Sequence, residues 1–441
     1  MKKQKVLYLL SLIILFFLFS SCKFIMSIFA PEKEEEEIGE FDDINIFDAD
    51  LLPDDNSFTT DFSITGDEYY LYGVTRGYRD FPGKIVKISK NGGLPLIKTL
   101  YDEAIHSGYT DSHAFYMESI SYHNDHLIIK ALPDFIQFEH HEFELFCLSS
   151  EDLSVRWRWI PEENSRLDYY VTGHPTIPKW NDYYIVYYAV EKEAGYYIVF
   201  LDTNGNQIVK RKIQSSRPVE ENDLCIINDK LVLHQSYEPL IIYDLNKLSN
   251  RAYAVKDSID YAFTSEDKTL EANPFSNIVS DGKNCYFCSW TNVDRVKGEG
   301  DLKVFALSLS DYKILWTYEL KDKGFDEVNS ILVNKEKLFL AADYGCVYCL
   351  NTINGKLNWK TKITDKEHKL NLLCEGCIVK NYFVIPCASN GYLYYFDINT
   401  GKIKGKYEIP VFGGIRHCYV EDDYVYITTG SYIVRLRLKE K

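Results

Sequence analysis

From about residue 56 to the C-terminus, apolar residues come in short runs of five to eight, cut by Gly, Asn, Asp and Ser. Such runs predict β-strands. Many lack clean alternation, as in Leu338-Phe339-Leu340-Ala341-Ala342 and Ile226-Ile227. A strand of that kind is covered on both faces. The pattern repeats. KLFLAADYGCVYCLNTINGKLNWKTKI runs from Lys337, YFVIPCASNGYLYYFDINTGKIKGKYEI from Tyr382, and LKVFALSLSDYKILWTYEL from Leu302. Each copy holds apolar strands, then Asn/Asp-x-x-Asn/Thr-Gly-Lys or an eroded form of it, then a further strand. Asn-Gly and Thr-Gly supply the positive φ that a tight turn between antiparallel strands needs.

This spacing resembles the A-x-D-x-x-T-G-K-x-x-W repeat of PQQ-type β-propellers. Cys349, Asn351, Asn354, Gly355, Lys356 and Trp359 fill its slots in order. Ala306, Ser308, Asp311, Lys313 and Trp316 do so with Tyr312 in place of the glycine. Tyr395, Asp397, Thr400, Gly401 and Lys402 match, with Gly405 where tryptophan is expected; Cys147, Ser149, Asp152 and Trp157 keep the spacing over an eroded turn. Asp202, Asp244 and Ser89 mark weaker copies, and the anchors average about 51 residues apart. That spacing suits four-stranded blades with loops. The resemblance implies an all-β propeller of four-stranded antiparallel blades over residues 56–441. Eight blades are expected, with seven as the alternative because 222–275 is poorly patterned. Trp157, Trp316 and Trp359 read as rings sealing one blade to the next. The last copy offers three strands, near His417, Tyr424 and Ile433. An open ring would expose a sheet edge, so a strand near Ile44–Leu52 is expected to close it.

The N-terminus reads differently. Lys2, Lys3 and Lys5 precede Val6–Phe19, 14 residues with only Ser11 polar, which fits the h-region of an export signal and is short for a membrane span. Phe19-Ser20-Ser21-Cys22 resembles the lipobox of bacterial lipoproteins, with Phe19 where Leu is usual. It implies a signal peptide over 1–21 and lipidation of Cys22. The alternative is an uncleaved anchor, since Phe24-Ile25-Met26 and Ile28-Phe29 continue the apolar run. Residues 22–55 carry 12 acids against Lys23 and Lys33 and read as an acidic flexible tether whose end supplies the closing strand.

Composition narrows the function. The 441 residues are 46% hydrophobic and 26% charged, which is globular. Net charge is −16, and −19 once the three lysines of the leader are gone, which speaks against nucleic acid as a partner. Quinone dehydrogenases that share the repeat hold their cofactor over adjacent cysteines, and no Cys-Cys pair occurs. Eleven cysteines include three C-x-x-C pairs, Cys285/Cys288, Cys346/Cys349 and Cys374/Cys377. Residues three apart in a strand lie about 10 Å apart on opposite faces, too far for a disulfide. These cysteines therefore read as small apolar fillers. A disulfide, with Cys374/Cys377 first because Gly376 can bend the strand, and a four-thiolate zinc site are the alternatives. Glu139-His140-His141-Glu142 reads as a solvated loop, since neighbours on a strand cannot converge on one ion. His123-Asn124-Asp125-His126 reads as a polar turn, and Asp111-Ser112-His113 does not build a triad. No catalytic, metal or cofactor site is expected.

Among exported propeller lipoproteins the chain resembles the BamB-type subunit of the outer-membrane β-barrel assembly machinery, on its lipidated N-terminus, body length and blade count. That resemblance implies a membrane-anchored, non-enzymatic scaffold in the cell envelope, facing the periplasm and presenting one propeller face to a protein partner. The segments Trp290–Asp301 and Arg251–Pro274 read as long insertions able to carry binding. The alternative is a ligand-binding or sensory propeller with a sugar, peptide or metal at its central channel.

Overall fold

The computed structural model describes residues 41–48, 62–75, 83–91, 94–100, 115–133, 143–161, 165–166, 177–190, 195–213, 222–235, 240–250, 252, 259–263, 271–272, 278–294, 299–320, 328–342, 345–363, 376–387, 390–409, 417–429 and 432–438. Strands hydrogen-bond into eight separate antiparallel sheets. Blade I comprises Phe62–Gly66, Tyr70–Thr75, Lys84–Ser89 and Leu96–Thr99; blade II, Phe115–His123, His126–Pro133, Glu144–Ser149 and Val155–Trp159. In blade III the inner position is split between Ser165–Arg166 and Lys179–Trp180, followed by Tyr183–Val190, Gly195–Leu201 and Gln207–Ile213. Blade IV is Asn222–Ile227, Lys230–Gln235, Leu240–Asp244 and Ile259–Phe263. Blade V has Glu271–Ala272 and Val279–Ser280 beside Asn284–Asp294, Glu299–Ser308 and Ile314–Glu319. Blade VI is Val328–Asn334, Lys337–Ala342, Cys346–Asn351 and Leu357–Lys362. Blade VII is Cys377–Val379, Tyr382–Cys387, Tyr392–Asp397 and Ile403–Glu408. Blade VIII is His417–Glu421, Tyr424–Thr428 and Tyr432–Leu438, with Phe41–Asp48 as its fourth strand.

The blade count is therefore eight. The poorly patterned stretch around 222–275 makes blade IV and an inner strand of blade V. Eight buried apolar clusters lie one between each pair of neighbouring blades, including blades VIII and I. Blade VI shows why alternation vanished. Leu338, Leu340, Cys346, Tyr348 and Leu350 face blade V, whereas Phe339, Ala341, Val347 and Cys349 face blade VII. Both parities of a period-2 strand meet an apolar neighbour. First strands of successive blades touch each other, as Cys377–Val379 touches His417–Glu421, so the first strand is innermost.

Closure uses Phe41–Asp48, antiparallel to Tyr432–Leu438. The strand starts three residues earlier than the sequence pattern implies. Asp42 opposes Arg437 but Asn45 opposes Arg435, so one extra residue is absorbed as a bulge. A bulge resets the alternation from which bounds are read. Of the expected insertion Trp290–Asp301, the described residues extend a strand pair: Trp290 pairs with Leu302, Thr291 with Asp301 and Asp294 with Glu299. They lengthen one hairpin of blade V.

Candidate interaction face

Up-and-down connectivity sends two kinds of connection to opposite rims. In six blades the first and second strands are joined at one rim by two-residue turns: Asn124-Asp125, Asn181-Asp182, Asn228-Asp229, Lys335-Glu336, Lys380-Asn381 and Asp422-Asp423. The first residue of each has φ between 51° and 59°, as hairpin turns of this length require. The expected polar turn at His123-Asn124-Asp125-His126 is one of them. There Arg156 donates to Asp125 at 3.1 Å. His123 Nε2–H donates to Ile177 O at 3.1 Å, and burial lowers its pKa.

The repeat turns share that rim. Asn351 Oδ1 accepts from the backbone N–H of Ile353 and Asn354, and Asp397 Oδ1 from those of Asn399 and Thr400. Gly355 (φ 68°) and Gly401 (φ 70°) close these turns by donating back to Asn351 O and Asp397 O. Tyr312 (φ 56°) and Leu153 (φ 59°) occupy the glycine position in blades V and II. The side chains of Lys356 and Lys402, which follow the glycines, are exposed.

The turns of blades III, VI and VII each meet a tryptophan of the preceding blade. Trp157 Nε1–H donates to Thr203 O at 2.9 Å, Trp316 to Thr352 O at 2.8 Å and Trp359 to Ile398 O at 3.2 Å. The accepting carbonyl always belongs to the residue after the turn anchor. The ring lies flat on the turn glycine, so a Cβ at Gly205 or Gly355 would sit 2.6 Å from Cδ2 of Trp157 or Trp316. Opposite each tryptophan in its own sheet stands a small residue: Cys147, Ala306 or Cys349. Blade VII inverts the pair, with Tyr395 opposite Gly405.

Sequence reasoning missed the substitutes. Between blades I and II, Lys87 Nζ donates to Ser150 O and Glu151 O, both at 2.8 Å. In blade IV a short helix, Leu245–Ser249, replaces the turn; Asp244 caps it, and Arg211 of blade III donates to Leu248 O at 3.1 Å and to Asn250 O. Trp180, outside the repeat spacing, donates to Asp229 Oδ1 at 3.0 Å. Blade VIII meets blade I through Lys90, paired with Glu421, while Arg435 donates to Lys90 O. A carbonyl accepts from any N–H donor, so lysine or arginine serves where indole is lost. The repeat signature does not record that exchange.

The opposite rim receives every second-to-third and fourth-to-first connection. The latter run to 15 residues at 100–114. The strands of the blade V hairpin, of 11 and 10 residues, are five and four residues longer than their blade VI counterparts of 6 residues each, measured from the repeat anchor. At about 3.3 Å per residue the hairpin stands roughly 13 Å above this rim. The arrangement is a rigid ring with tight turns on one face and variable connections on the other.

Cys346 and Cys349 lie in different blade interfaces, facing blades V and VII respectively, so they cannot serve one zinc ion together. Among the described residues no three His, Cys, Asp or Glu side chains converge on a point that would hold a metal. No described helix is long and apolar enough to cross a membrane. Cys22, Cys374, Glu139–Glu142 and Asp111–His113 lie outside the described residues.

No protein-family model matches the chain. Over 136 residues it is 26% identical to the outer membrane protein assembly factor BamB of Shewanella oneidensis, a match spanning 31% of each chain. The alignment thus spans about a third of that relative's length. The crystal structure of BamB from Moraxella catarrhalis superposes with a TM-score of 0.58 at 10% identity, over 92% of this chain and 99% of that one. The designed protein Ika8 gives the same TM-score at 9% identity, over 87% and 98%. At such identity the superpositions speak for the fold. The chain is an eight-bladed β-propeller that resembles BamB.

Proposed function

We propose that this protein is a non-enzymatic scaffold that presents its connection-bearing face to a protein partner in outer-membrane protein assembly. The partial identity to BamB carries the reading, because it adds a sequence link to a fold that by itself names no function. The architecture supports it. Eight interfaces sealed by buried side chains make a rigid support, and rigid supports with variable connections are common carriers of binding. The leader and Cys22 support lipid anchoring at the membrane, with residues 22–40 as the acidic tether and the propeller in the periplasm. Quinone chemistry lacks its adjacent-cysteine platform in this sequence.

The test is affinity purification of the full-length protein from gently solubilised membranes, with co-purifying proteins identified by mass spectrometry. Recovery of an outer-membrane barrel bearing periplasmic repeats is the expected result. Photo-crosslinkers then separate the faces: position 362, exposed at the connection rim, captures the partner, and position 354, exposed at the turn rim, does not. Recovery of the intact propeller alone would refute the scaffold reading and turn attention to the central channel as a ligand site.

A further inference from the structure

The odd spacing of the C-x-x-C pairs has a structural result. In the pairs Cys285/Cys288 and Cys346/Cys349 the two cysteines face opposite neighbouring blades, and each shares its interface core with a cysteine of that neighbour. Cys225 and Cys285 share the core between blades IV and V, Cys288 and Cys346 that between V and VI, and Cys349 and Cys387 that between VI and VII. In these three pairs every cysteine but Cys225 is at most 2% exposed. Burial pushes the Cys285 thiol up to about 12 and raises that of Cys349. Such thiols are inert fillers.

The fourth pair differs. Cys377 opens the innermost strand of blade VII, and Cys418 lies on the innermost strand of blade VIII. Their sulfurs are 2.9 Å apart, well inside the roughly 3.5–4.0 Å at which non-bonded heavy atoms settle. A disulfide at about 2.05 Å needs less than 1 Å of further approach. Cys377 is 6% exposed and Cys418 is only half-buried, so a reagent has a way in. Gly376 fixes the strand beside them: its N–H donates to Ser330 Oγ at 2.8 Å, and a Cβ there would sit 2.6 Å from Phe383.

We propose that Cys377 and Cys418 are an oxidation site, forming a disulfide that staples blade VII to blade VIII by exchange with a small-molecule or protein disulfide donor. The Cys418 thiolate attacks the donor RSSR, giving a mixed disulfide and one RS⁻. The Cys377 thiolate then attacks the Cys418 sulfur, forming the Cys377–Cys418 bond and releasing the second RS⁻. Both cysteine protons pass to the released thiolates or to solvent. One donor disulfide is reduced to two thiols as the two cysteines lose two electrons. The bond lies next to the blade that closes the ring, where it locks the last two blades together. It does not depend on the scaffold function.

Detergent-solubilised full-length protein is treated with glutathione disulfide, denatured, alkylated with iodoacetamide and digested with trypsin without reduction. The expected product joins peptide 370–380 to peptide 417–435, with fragmentation placing the bond at Cys377 and the alkyl label on Cys374. Cys374→Ser keeps that product and Cys418→Ser loses it. Oxidised wild type melts at a higher temperature than reduced wild type, and Cys418→Ser shows no such shift. The wild-type digest decides the matter even if a variant fails to fold. Alkylated Cys418 after oxidation of the folded protein, or a bond between Cys374 and Cys377, overturns the proposal.

Discussion

Replacing Gly355 by alanine tests the tryptophan seam, and Gly282→Ala supplies the control. Both glycines have positive φ, 68° and 87°. Both variants therefore place an L-residue in the left-handed region, at about 1–2 kcal/mol. A Cβ at Gly282 meets nothing within 4 Å, whereas one at Gly355 lies 2.6, 2.7 and 2.9 Å from Cδ2, Cε3 and Cγ of Trp316. The indole has little room to retreat. It is 9% exposed, bonded to Thr352 O at 2.8 Å, and its ring centroid lies 5.9 Å from that of Tyr286. Overpacking of this kind costs about 1–3 kcal/mol, and displacing the indole forfeits a hydrogen bond worth about 1 kcal/mol. Gly355→Ala is thus expected to cost about 2–4 kcal/mol more than Gly282→Ala. The assay is urea unfolding, with circular dichroism for the sheet and tryptophan fluorescence for the seam. Gly355→Ala in a Trp316→Ala background should lose most of its excess, because the colliding ring is gone. Equal destabilisation by the two single variants, or a full excess persisting without Trp316, would refute the reasoning.

Lys87→Met removes the donor to Ser150 O and Glu151 O at the junction of blades I and II; water reaches this turn, so a modest loss of about 1 kcal/mol is expected by urea unfolding. The folded-state pKa of His123 lies below its ordinary value because burial disfavours the imidazolium. A depressed pKa gives stability that is present above the unfolded pKa, about 6.5, and lost as pH falls through the folded one. Wild type should therefore lose more stability between pH 7 and 5 than His123→Gln, and parallel pH profiles would count against this. Removing residues 1–48 strips the partner from Tyr432–Leu438. The bared edge should self-associate in light scattering while a chain beginning at residue 22 stays monomeric.

The strand runs, the repeat turns and the docking tryptophans were legible in the sequence because each is local. Asn351-Thr352-Ile353-Asn354-Gly355 specifies its own turn whatever surrounds it, and Trp359 lies a fixed step beyond. Two-sided burial was legible as well, since loss of alternation records that both faces are covered. What depends on a distant partner was not. That Lys87 and Arg211 stand in for tryptophans follows from carbonyls 63 and 37 residues away. The closing strand slid to Phe41–Asp48 because its bounds are set by Tyr432–Leu438 at the other end of the chain. The cysteine spacing shows only that neighbours three apart cannot bond each other. Ring packing brings Cys377 to Cys418, since only the ordering of blades around the axis places strands 41 residues apart side by side. Local turn chemistry is written in adjacent residues, whereas contacts between blades exist only once the ring has closed.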